Sequence, residues 1–122
     1  MTTNEKEISR LTVNDREIMI IDYSDCKEDK MIEILLTARK IIREENKPQR
    51  VLAIFNDNSF LTQKVMQSFN SDRLDPFLLE RQAVCGVNAT KKWIIEGNNI
   101  FQNNYIKIFK NKEEALEFLA SN

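Results

Sequence analysis

Val51-Leu52-Ala53-Ile54-Phe55, then Asn56-Asp57-Asn58-Ser59, then Phe60-Leu61-Thr62-Gln63-Lys64-Val65-Met66-Gln67-Ser68-Phe69 is the stretch whose reading decides the fold. Five consecutive apolar residues predict a strand buried on both faces. Four polar residues form a tight loop, after which Leu61, Val65, Met66 and Phe69 recur at helical spacing. A buried strand, a short loop and a helix make the core unit of a parallel α/β sheet. The loop falls where the C-terminal end of a strand meets a helix, a place such sheets use for functional groups.

Working outward toward the N-terminus, Pro48 stops a preceding helix whose apolar face is Met31, Ile34, Leu35, Ala38, Ile41 and Ile42. That spacing fits one helical stripe. Glu28 and Asp29 at its start and Arg39, Lys40 and Arg43 near its end match the helix dipole. Before it, Ile18-Met19-Ile20-Ile21 predicts a second buried strand. Ile8, Leu11 and Val13 predict a first short strand, joined to it by a turn at Asn14-Asp15-Arg16. Residues 1–6 read as a polar, frayed end.

Toward the C-terminus, Pro76 disfavours helix at Asp75, so Phe77-Leu78-Leu79 reads as a separate turn. Gln82-Ala83-Val84-Cys85-Gly86-Val87 predicts a further buried strand. Asn88-Ala89-Thr90 leads into a helix carrying Trp93, Ile94, Ile95, Ile100 and Phe101, weakened by Gly97. Tyr105-Ile106-Lys107-Ile108-Phe109 alternates as an edge strand would. Asn111-Lys112-Glu113-Glu114 is a capping-box pattern opening a last helix with Ala115, Leu116, Phe118 and Leu119 on its apolar face. The order β-β-α-β-α-β-α-β-α predicts an α/β domain spanning residues 1–122, with a mostly parallel sheet, right-handed crossovers and an antiparallel first strand.

Composition narrows the function classes. The chain has 122 residues, a formal net charge of -1 with both signs interleaved, two cysteines and no histidine. Near-neutral charge argues against a nucleic-acid partner. No apolar run reaches membrane-spanning length and the opening residues lack a signal-peptide core, which predicts a cytoplasmic protein not embedded in a membrane. Without histidine the chain lacks the commonest general base and the commonest zinc ligand. Neither G-x-x-x-x-G-K-[ST] nor G-x-G-x-x-G occurs. No cofactor and no metal are expected, and no nucleophile–base pair can be assembled, so an enzyme is the weakest reading.

The order of elements and two local signals are similar to the STAS-like superfamily, the fold of anti-sigma-factor antagonists and of the cytoplasmic domains of sulfate transporters. Asp57-Asn58-Ser59-Phe60-Leu61 resembles the family's Asp-Ser-Ser-Gly-Leu at the same strand–helix junction. Gln82 to Val87, a helix, Ile106 to Phe109 and Lys112-Glu113-Glu114-Ala115-Leu116 resemble its C-terminal course. The resemblance implies a non-enzymatic regulatory module that binds a protein partner, a kinase or another regulator. In the antagonists the second serine of the pentapeptide is phosphorylated, which makes Ser59 the candidate phosphoacceptor. Phe60 and Asn58 depart from the motif, where the family has glycine and often serine, and alter the shape of that surface.

The candidate partner surface is Asp57, Asn58, Ser59, Phe60, Gln63, Lys64 and Gln67. Ser59 also reads as the N-cap of the following helix, and Asn56 and Asp57 as turn formers. The loops over residues 22–26, 56–59 and 88–92 should share one sheet edge, gathering Asp22, Asp25, Asp57, Thr90, Lys91 and Lys92. Their order does not match a magnesium-binding receiver domain. Thr90, Lys91 and Lys92 could hold an anion at a helix N-terminus, although the plainer reading makes both lysines solvated. Cys85 reads as a small core residue and Cys26 as a loop thiol whose pKa a helix start would lower. Trp93, Phe101 and Phe109 read as packing residues. The alternative function is a carrier or sensor of a small anionic or lipid-like ligand, using the C-terminal edge of the sheet. The sequence leaves a homodimer open.

Overall fold

The structure, a computed structural model, describes residues 7–72, 74–102 and 106–121, with no side chains described over 98–102. The expected frayed end over residues 1–6, the packing of Ile100 and Phe101, and the strand start at Tyr105 lie outside them. Strands β1 (Ile8–Val13), β2 (Arg16–Asp22), β3 (Gln49–Ile54), β4 (Leu79–Cys85) and β5 (Lys107–Phe109) form one sheet in the order β1-β2-β3-β4-β5. Helices α1 (Glu28–Glu45), α2 (Gln63–Ser71), α3 (Ala89–Gln102) and α4 (Lys112–Ala120) alternate with the later strands, and a 3-10 turn, Pro76–Leu78, precedes β4. β1 pairs antiparallel with β2, and every other pair is parallel. The α/β architecture read from the sequence is the observed one.

Asn14 and Asp15 both take positive φ, 51° and 64°, as a two-residue type I′ hairpin demands. This fixes the register Val13–Arg16 through Ile8–Ile21. Along β2 the side chains alternate between two cores: Met19 and Ile21 face one, Ile18 and Ile20 the other. Right-handed crossovers between strands laid down in sequential order place α1, α2 and α3 on the same face. They cover Met19, Ile21, Val51 and Val84. The opposite face is covered by α4, through Ala115, Leu119 and Ala120 against Ile18, Leu52, Ala83 and Cys85.

Several boundaries differ from expectation. α1 ends at Glu45, and its cap is Asn46, whose left-handed φ of 51° lets its N–H donate to Ile42 O, just before Pro48. β4 begins three residues early, at Leu79, and stops at Cys85 because Gly86 turns to a φ of +80°. A Cβ at Gly86 would sit 1.9 Å from Phe55 O, so only glycine lets this loop lie against the end of β3. Trp93 is not packed: it is 74% exposed. Ile95 is buried, and a residue two positions away on a helix points to the opposite side.

Candidate functional site

The polar loops after β2 and β3 interlock at the C-terminal edge of the sheet. Asp22 Oδ1 accepts from Ser24 N at 2.9 Å, folding the chain back after β2. Asp25 then takes a positive φ of 60°. Its Oδ1 accepts from Asn56 Nδ2 at 2.9 Å and Asn58 Nδ2 at 3.0 Å, while Asp25 N donates to Asn56 Oδ1 at 3.0 Å. These amide donors, Asn56 first, hold the Asp25 carboxyl below its ordinary range.

Ser59 is 3% exposed and lies beneath this network. Its Oγ donates to Tyr23 O at 2.8 Å and accepts from Asn56 N at 3.0 Å. Phe60 N donates to Cys26 O at 2.9 Å. These tertiary bonds keep residues 59 and 60 out of the helix. The N-cap of α2 is therefore Thr62, not Ser59, with Thr62 Oγ1 accepting from Val65 N at 3.3 Å. Thr62 Oγ1 also donates to Glu28, which ties the start of α2 to the start of α1.

Of the residues read as a partner surface, Asp57, Asn58, Phe60, Gln63, Lys64 and Gln67 are exposed and Ser59 is buried. Phe60, at 52% exposure, stands out from the pinned loop as an apolar side chain among polar neighbours. The third loop reaches the same edge through Gly86 and Phe55. Asn88 Oδ1 accepts from Lys91 N at 2.9 Å and caps α3. Thr90 and Lys92 are exposed, but Lys91 is 7% exposed rather than solvated, being four residues from buried Ile95 on the same helix face. Among the described residues, no hydrogen bond or ion pair joins Thr90, Lys91 or Lys92 to Asp22, Asp25 or Asp57. None of the described His, Cys, Asp and Glu side chains form a group of three placed to hold a metal ion.

Burial pushes the Cys26 thiol up, opposite to the lowering expected at a helix start. Desolvation of the thiol, with the Glu7 charge adding to it, is the cause. Cys85 is buried in the sheet as expected.

Sequence reasoning missed a cavity of about 80 Å³ between the sheet and α1, α2 and α3. It is lined by apolar side chains including Met31, Leu35, Val65 and Met66, with Tyr23, Arg39 and Gln82 as its polar members. One signal was present: Arg39 is four residues after Leu35 and three before Ile42, on the apolar stripe of α1. None of Thr90, Lys91 or Lys92 lines this cavity.

No family model matches the chain, and no curated protein does. Among solved structures it is similar to an uncharacterised protein of the DUF3478 family from Shewanella loihica PV-4, described as having a SpoIIAA-like fold. The two share 16% identity and superpose with a TM-score of 0.67, over 92% of this chain and 91% of the other. The fold is SpoIIAA-like, in keeping with the STAS-like resemblance of the sequence. No described helix is long and apolar enough to cross a membrane.

Proposed function

We propose that the protein is a non-enzymatic cytoplasmic regulatory module that docks a protein partner through the loop over residues 56–60 and the start of α2. The observation that carries this reading is Phe60, half-exposed on a loop held rigid by the Asp25, Asn56 and Asn58 hydrogen bonds. An apolar anchor on a pre-organised loop loses little entropy on binding. Asp57, Asn58, Gln63, Lys64 and Gln67 supply the polar rim that surrounds such anchors.

Phosphorylation of Ser59 fits this reading as a change of loop shape. A kinase reaches Oγ only after its bonds to Tyr23 O and Asn56 N open, and a phosphoryl group keeps the loop from closing again. Modified protein would then present a displaced Phe60 and lose its partner.

Affinity capture from the source lysate tests the docking surface, with wild type beside Phe60→Ala and Thr90→Ala. A protein retained by wild type and Thr90→Ala, and weakened on Phe60→Ala by about tenfold or more, is the expected result. Equal retention on all three baits would remove the 56–60 loop from the interface.

A further inference from the structure

We propose that the outer edge of β1 is a pairing surface for a second copy of this chain, the two β1 strands joining antiparallel with their Leu11 residues opposite each other. This inference is independent of the docking surface, since the loop over residues 56–60 takes no part in it.

The backbone supplies the first argument. β1 ends the sheet, and among the described residues β2 is its one strand neighbour. Asp22 N donates to Glu7 O at 2.7 Å, so the pair beside Ile8–Ile21 is hydrogen-bonded. Antiparallel pairs alternate between bonded and non-bonded. Ser9, Leu11 and Val13 therefore direct their N–H and C=O groups to β2, and those of Ile8, Arg10 and Thr12 point outward. An edge of this kind is a template for another strand. The opposite edge is guarded: β5 covers Lys107–Phe109 and carries an exposed Lys107, with exposed Lys110 just beyond. β1 runs six residues in unbroken register, without proline or lysine. Its single charged side chain, Arg10, is drawn onto Glu17 and Glu45 at 2.8 and 2.7 Å.

Side chains supply the second argument and choose the occupant. Leu11 stands opposite Ile18, on the face that α4 covers, yet it is 38% exposed because α4 packs further in, on Ile18, Leu52 and Ala83. A two-fold axis perpendicular to the sheet keeps each face continuous, so β1 residues meet residues of their own face. Arg10 opposite Arg10 would set like charges on Cα atoms about 5.5 Å apart, which is disfavoured. Thr12 opposite Thr12 would push Arg10 against Asn14 of the turn. Leu11 opposite Leu11 lets both Arg10–Thr12 pairs exchange their N–H···O bonds. It also sets the two leucines in the closer, non-bonded position, where each covers the other. β1 is thus complementary to itself in one register. A formal net charge of -1 brings little repulsion between copies. The strip is about 20 Å long at about 3.3 Å per residue, which belongs with small, transient interfaces. The axis inverts strand direction, so the two Phe60 loops point opposite ways and stay open.

Sedimentation equilibrium of the full chain from about 10 µM to about 1 mM should show a monomer–dimer equilibrium. Hydrogen exchange at the Arg10 and Thr12 amides of wild type should slow as the dimer forms. Thr12→Pro removes an outward N–H that β2 does not use, and should raise the dissociation constant about tenfold or more. Leu11→Cys should form a disulfide between copies under oxidation, and Arg10→Cys should not. A monomer across the whole range, a dimer in which Arg10 and Thr12 exchange as fast as in the monomer, an unchanged dissociation constant for Thr12→Pro, or equal crosslinking of Leu11→Cys and Arg10→Cys would overturn the assignment. The sedimentation and exchange measurements on wild type decide the matter even where a variant does not fold.

Discussion

The Ser59 hydroxyl serves two partners at once, donating to Tyr23 O and accepting from Asn56 N. Ser59→Ala leaves a buried carbonyl and a half-buried N–H without that partner, at a cost of about 1–3 kcal/mol in urea unfolding. An unchanged midpoint would show the loop to be held by the asparagine network alone. Ser59→Asp places a charge in the same buried position and costs more, so it disrupts the loop and is a poor mimic of a surface charge. At Asp25 the sign of the pH effect follows from the lowered pKa. A carboxyl whose folded pKa lies below its unfolded value stabilises the fold above the unfolded value, and that contribution is lost as pH falls through the folded one. Acidification should therefore loosen the Asp25–Asn56–Asn58 contacts below the ordinary midpoint of 3.8. Loop amide shifts of wild type should titrate there, and those of Asp25→Asn should not.

Individual elements show where local sequence decides and where tertiary contacts do. The stripe of α1 and the run of β2 were legible because burial on one face, or on two, writes itself into spacing. The start of α2 was not, since Ser59 and Thr62 are both good caps and the choice rests on Phe60 N and Ser59 Oγ bonding to the β2–α1 loop. Trp93 was misread because an apolar residue near Ile94 and Ile95 looks like packing, although only one side of α3 faces the core. Arg50 is the counterpart on the other face of the sheet. It is buried in β3, donates to Leu119 O and Ser121 O at 2.6 Å each, and pairs with Glu80 at 2.9 Å. Arg81 adds a bond to Phe118 O at 2.7 Å, so two arginines hold the carbonyl end of α4. Arg50→Met should cost about 2–3 kcal/mol in urea unfolding and speed hydrogen exchange at the end of α4. Unchanged exchange there would mean that Ala115 and Leu119 anchor the helix unaided.

In the whole molecule, sequential strand order and one-sided crossovers divide the labour. The face under α1, α2 and α3 contains the cavity, the face under α4 is closed by the arginine clamp, and the C-terminal edge presents Phe60. The sequence carried the alternation of elements and the identity of that edge. It did not carry the cavity, which arises from how three helices settle on the sheet and not from any motif. It also did not carry the burial of Ser59, which depends on a loop contributed by a distant strand. The most direct measurement of the docking claim is photo-crosslinking in the source cells, with a benzophenone side chain placed at Gln63 or, on the exposed side of α4, at Glu117. The account predicts a discrete protein adduct from Gln63 that is absent from Glu117. The same adducts from both positions, or none from Gln63, would contradict it.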